Sequence, residues 1–145
     1  MIKTIVALFI LYFLFLKIYR TVQKLVENYK NKAKIHIFKV QLADTPNKRE
    51  KGLMYVKKLK KGQGMLFDFK KHKKISLIMK NTLIPLDAIF LNDKSEVVDL
   101  IRDMKAGSSK TYKSNKKAYY VLEVNSGVID KRQIKLKDII GTEEL

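Results

Sequence analysis

The chain has 145 residues, 31 Lys/Arg against 14 Asp/Glu, a formal net charge of +17 and 46% hydrophobic residues. That length suits one domain plus an accessory segment, and the apolar content, with no low-complexity tract, excludes a disordered chain. Zero cysteines exclude disulfides, thiolate metal sites and a cysteine nucleophile, and leave the redox compartment open.

From Ile5 to Leu16 every residue is apolar or aromatic. At ~1.5 Å per residue a helix from Met1 to Tyr19 reaches about 28 Å, close to a ~30 Å hydrocarbon core. Lys3 and Lys17 can snorkel to the two interfaces, and Tyr12 and Tyr19 suit the headgroup region. Lys17-Ile18-Tyr19-Arg20 offers no small-residue cleavage site for a signal peptide, and a buried core helix would show a polar stripe. The expectation is a retained single span, in contact with the lipid bilayer through residues 4–19. Ile18, Val22, Leu25, Val26 and Tyr29 then recur at helical spacing, which extends the helix to about Asn31 as an amphipathic stalk. Its basic face suits anionic headgroups.

Residues 1–34 hold seven Lys/Arg against Glu27, a net of +6, and residues 35–145 carry the other +11. Charge so evenly spread fits a lysine-rich composition, and it also attracts anionic lipid, nucleic acid or acidic proteins, less so at high salt. Lys17, Arg20, Lys24, Lys30, Lys32 and Lys34 follow the span while Lys3 precedes it, so the positive-inside rule favours a cytoplasmic domain. The division expected is 1–34, anchor and stalk, and 35–145, globular domain.

From residue 35 the period becomes two. His36, Phe38, Val40 and Leu42 alternate with Ile37, Lys39 and Gln41 as a half-buried strand. Thr45 reads as a helix N-cap with Pro46 at the first position, followed by one or two turns that bring Leu53 and Met54 to the core. Residues 57–64 form a loop, and Met65, Phe67 and Phe69 mark a second strand. Residues 75–79 make a third strand, ending at Lys80-Asn81-Thr82. Residues 85–91 and 96–102 flank the turn Asn92–Ser95 as a hairpin. A loop over 106–115, a strand over 118–124 stopped by Asn125-Ser126-Gly127, and a last strand over 134–140 complete the pattern. Seven short strands and one brief helix predict a mainly β fold, a compact and largely antiparallel barrel or sandwich after the N-terminal transmembrane helix.

The best site candidate is the loop from Met79 to Asp87, with Lys80, Asn81 and Thr82 between two apolar strands and with Arg49 and Glu123 as further polar members. Asn81 and Thr82 can satisfy backbone groups of a turn. Asp87 and Glu123 each interrupt an apolar strand, and an unpaired buried carboxylate is too costly to keep charged. Three readings follow: a polar network fixing strand register, with each carboxylate paired to Arg49 or Lys80; a ligand cleft; and an acid/base pair of Asp87 and Glu123. His36 and His72 are 36 residues apart and show no metal-ligand spacing, so no metal is expected, and no glycine-rich phosphate loop or nucleophile elbow calls for a cofactor. Met54, Met65 and Met79 read as core filler. The densest basic run, Lys57, Lys58, Lys60, Lys61, Lys70, Lys71, Lys73 and Lys74, is a solvated face that can also meet anionic headgroups or another polyanion. It lacks interleaved exposed aromatics apart from Tyr55, a poor arrangement for single-strand stacking.

Four motifs occur in order: Asp44-Thr45-Pro46 with Arg49 and Gly52-Leu53-Met54; Gly64–Phe69; Met79-Lys80-Asn81-Thr82-Leu83-Ile84-Pro85-Leu86-Asp87 continuing to Ile89-Phe90; and Leu122-Glu123-Val124 with Gly127. Over roughly residues 36–140 this order and spacing resembles the family called domain of unknown function 192. Two departures stand out: family members usually carry an aromatic where Ile78 stands and a glycine where Lys137 stands. The first bears on any stacking role of the site, the second on a turn. The resemblance implies a β-rich domain with no established activity and, in bacteria, an export-type N-terminus, which sets it against the charge rule. Two function classes remain: a binding or structural module at a membrane surface, and a small hydrolase-type enzyme using Asp87 and Glu123 near the Asn81-Thr82 loop.

Overall fold

The computed structural model describes residues 2–145, the side chains of 2–4, 30 and 31 aside. The chain forms two compact units, residues 1–33 and 34–145. The first is one helix, α1 (Ile2–Asn31), uninterrupted because no Pro or Gly falls within it. Its apolar side chains are exposed on every side, Leu8, Phe13 and Ile18 among them. Over Ile5–Tyr29 it is long and apolar enough to cross a membrane.

The second unit is mostly β. Its chain order is β1 (Ile35–Ala43), α2 (Pro46–Lys51), β2 (Gln63–Lys73), β3 (Ser76–Ile78), β4 (Leu86–Leu91), β5 (Val97–Met104), β6 (Thr111–Lys113), β7 (Ala118–Asn125), α3 (Val128–Arg132) and β8 (Ile139–Glu144). Six strands form one sheet in the order β5-β4-β7-β2-β1-β8, curled into a half-barrel. The pairs β4–β5, β4–β7 and β2–β7 are antiparallel. β1 departs from the antiparallel expectation by running parallel to both its neighbours, β2 and β8. β3 and β6 make a separate two-stranded antiparallel sheet.

Side chains alternate across a sheet, so directly paired residues share a face. Met65, Phe67, Ala88, Phe90 and Val121 cover one face and pack against Leu53, Leu77 and Met79. Phe38, Val40, Ile89, Leu122 and Val124 cover the other and pack against Ile129 and Ile134. Gly64 lets β2 approach β7, since a Cβ there would lie 2.6 Å from the Glu123 carbonyl oxygen.

Two stretches of the sequence pattern fold differently from expectation. The loop over 106–115 contains β6, whose Tyr112 is drawn into the core and whose hydroxyl accepts from the Lys105 amide. Residues 134–140 are not one strand. Ile134 instead closes α3, its amide donating to the Ile129 carbonyl, and Lys137 turns the chain at φ +72° before β8 begins at Ile139. The alternation of Ile134, Leu136 and Ile140 mimicked a strand, but the intervening Asp138 is fully buried and spends its carboxylate on backbone amides.

Candidate functional site

The site is assembled on one face of the sheet. Thr45 caps α2, its hydroxyl accepting from the Lys48 amide, and Pro46 opens the helix. Gly52 ends it at φ +47°, packed so closely on Phe67 that a Cβ would come within 3.3 Å of that ring. This short helix presents Arg49, whose Nη1 donates to the Asp68 carbonyl at 2.8 Å while the guanidinium lies over the Phe69 ring at 5.5 Å. Arg49 has no ion-pair partner among the described residues.

The Met79–Thr82 turn is pinned from both sides. The Thr82 amide donates to the Met79 carbonyl, the Tyr55 amide to the Asn81 carbonyl and the Gly107 amide to the Thr82 carbonyl. Asn81 takes φ +58°, a left-handed conformation that asparagine tolerates. Lys80 is exposed, Thr82 buried. Met79 packs wholly in the core, as Met65 does, whereas Met54 is half-buried.

Glu123 projects from the middle of β7, in register with Met65 on β2 and Ala88 on β4. It is 7% exposed, and its carboxyl has neither hydrogen bond nor ion pair among the described residues, its oxygens keeping their access to the cavity it lines. Burial pushes its pKa from 4.5 up to about 7. Arg49, Lys80, Asn81, Thr82 and Glu123 line one cavity of about 760 Å³, walled by apolar side chains such as Phe67 and Leu53. Ser76 and Glu50, which the sequence pattern did not single out, also line it.

Asp87 is not part of this site. It pairs with Val124, one position out of register with Glu123, and so lies on the opposite face. There its Oδ1 accepts from the Asp103 amide at 2.9 Å and its Oδ2 from the Ile129 amide at 3.0 Å. The Asp87–Glu123 acid/base pair is therefore not assembled, and neither carboxylate pairs with Arg49 or Lys80. The partners of Asp87 are backbone amides, invisible in a side-chain pattern.

His36 has an acidic companion, 102 residues away: its Nε2 lies 2.9 Å from Asp138 Oδ2. Burial alone would raise the Asp138 pKa, but the Lys34 and Lys135 amides and His36 together hold it below the usual range. Among the described residues no group of three or more His, Asp or Glu side chains is placed to hold a metal ion. The basic run falls at the two ends of β2: Lys57, Lys58, Lys60 and Lys61 precede the strand, whereas Lys70, Lys71, Lys73 and Lys74 lie at its other end, beyond an irregularity after Asp68. Lys70 is engaged by Asp68 at 2.7 Å and Lys73 lies over the Phe69 ring at 4.5 Å.

Comparison with known proteins places this arrangement in company. A "UPF0127 protein" of Thermococcus sibiricus is 32% identical over 114 residues, 79% of this chain and 72% of that one. The fold is shared with a crystal structure from Sinorhizobium meliloti 1021, described as a candidate transcription regulator, at TM-score 0.67 and 33% identity, over 69% of this chain and 78% of that chain. It is shared as well with a protein of unknown function from Novosphingobium aromaticivorans DSM 12444, at TM-score 0.68 and 29% identity, over 70% and 73% of the two chains. The profile of domain of unknown function 192, described as "Uncharacterized ACR", matches residues 26–141, and the chain belongs to that family.

Proposed function

We propose that the protein is a binding module tethered to a membrane by α1, with the cavity over β2 and β7 as its ligand site. The observation that carries the ligand reading is Glu123. Its side chain is 7% exposed, has no protein donor and opens onto a cavity, and a fold that needed only packing there is better served by an apolar residue. Five of the polar candidates converge on that cavity, whose volume falls in the ~300–1,000 Å³ range of small-molecule sites. The hydrolase reading loses its second carboxylate, because Asp87 serves the other face.

Tethering is supported by the all-round apolar surface of α1 over residues 5–16, which would be unfavourable in water. The basic residues after the apolar stretch suit anionic headgroups and favour a cytoplasmic domain. Full-length protein in sealed, right-side-out membranes tests both points. It should stay in the pellet after alkaline carbonate washing, and external protease should leave residues 35–145 intact. Release into the supernatant removes the tether, and digestion reverses the side. For the ligand site, protein purified from membranes is analysed by native mass spectrometry. A bound small molecule lost in Glu123→Gln supports the reading, and identical spectra for both proteins count against it.

A further inference from the structure

Among the side chains that line the cavity are an acid and a base that do not meet. Arg49 and Glu123 line the same space, yet no ion pair joins them. Each is held in place by something else. The Asp68 carbonyl and the Phe69 ring fix Arg49, and strand pairing on both sides fixes Glu123. Complementary charges kept apart on rigid elements form a template for a ligand with the inverse pair.

We propose that this cavity binds a zwitterionic aminoalkyl phosphate, its ammonium group on the Glu123 carboxylate and its phosphate on Arg49. The inference rests on the cavity being a ligand site and adds the ligand's chemistry. An ammonium is the group that allows the buried carboxyl to ionise. A simple cation would face Arg49, Lys51 and Lys80 in the same cavity, against which Glu50 is the one opposing charge among the lining residues besides Glu123 itself. A simple anion would satisfy those cations and leave the Glu123 carboxyl without a partner. The guanidinium fork matches phosphate oxygens, in a monoester and a diester alike. Ile78, 54% exposed, adds an apolar edge to the same cavity. One source of this chemistry is a free aminoalkyl phosphate. The other is the phosphoethanolamine headgroup of a bilayer lipid.

The test uses full-length protein in non-ionic detergent with carboxyl-labelled glutamate, followed by carbon NMR, the Glu123 signal being assigned by its loss in Glu123→Gln. The charged groups facing Glu123 from the cavity walls are Arg49, Glu50, Lys51 and Lys80. Without ligand the Glu123 carboxyl should titrate at about 7. Saturating phosphoethanolamine should lower that midpoint by about one pH unit or more, since an adjacent ammonium favours the ionised form. Ethanolamine and inorganic phosphate, each alone, should bind about tenfold more weakly or worse, and Arg49→Gln should weaken phosphoethanolamine to a similar degree. Mixed micelles of phosphatidylethanolamine that reproduce the shift, where phosphatidylcholine does not, assign the lipid source. A shift with free phosphoethanolamine alone assigns the soluble one. No shift with any probe overturns the proposal. So does a rise of the midpoint, or phosphate binding as tightly as phosphoethanolamine; these last two leave the cavity a ligand site of another class.

Discussion

Asp87 and Glu123 sit one register position apart in neighbouring strands, and a sheet's two-residue period gives them opposite fates. Asp87 is 1% exposed and accepts from two backbone amides, so it acts as a clasp between β4, the end of β5 and the start of α3. Asp87→Ala should lower the unfolding free energy by about 1–3 kcal/mol for each amide left without an acceptor, read from urea unfolding. Glu123 has the reverse effect. Its folded pKa of about 7 exceeds its ordinary 4.5, so between those values the folded state holds more protons than the unfolded one. Stability therefore falls as pH rises from about 4.5 through 7, by on the order of 3 kcal/mol in all. Glu123→Gln should remove most of that decline. Urea midpoints at pH 5 and pH 8 should converge in the variant and diverge in the parent. Equal slopes in both would show that the carboxyl is not uncharged in the folded protein.

At the level of elements, α2 matters because it carries Arg49. With six residues it is too short to persist on propensity, so its cap and its contacts hold it. Thr45→Ala should cost about 1 kcal/mol of stability, and ligand affinity should drop with it as Arg49 loses its fixed position. This element was legible in the sequence because Thr-Pro followed by a glycine spells both ends of a helix locally. So were β1, β4, β5 and β7, whose apolar alternation or runs match what the sheet buries. β6 was not, being three residues among lysines and serines, and it is a strand because β3 lies beside it. The segment after α3 misled for a different reason. The positive φ at Lys137, where the family resemblance led to the expectation of a glycine, marks the turn that interrupts the run. For the site, the polar residue types drew attention to Arg49, Lys80, Asn81, Thr82 and Glu123, which line one cavity. Which face each strand residue takes depends on register, and that separated Asp87 from the rest.

On the scale of the whole domain, the link between β1 and β8 runs through Asp138. Its carboxylate receives the Lys34 and Lys135 amides and meets His36, tying the entry of the first strand to the approach of the last. A depressed folded pKa contributes stability that is present above 3.8 and lost as pH falls through the lower folded value. Asp138→Asn should therefore destabilise the protein at pH 7, with the difference from the parent shrinking below pH 4 in thermal melts. The sheet order has a consequence for timing. β1 is inserted between β2 and β8, and Ile35 pairs with Ile139. At ~5–20 residues per second the ribosome needs roughly 5–20 s to make the intervening stretch. Throughout that interval β1 keeps one backbone edge open, with Ile35 and Ile37 solvent-facing even in the finished fold. A chain stalled before β8 thus presents a ready template for a second nascent copy, and aggregation during synthesis should concentrate on truncated products rather than on finished ones.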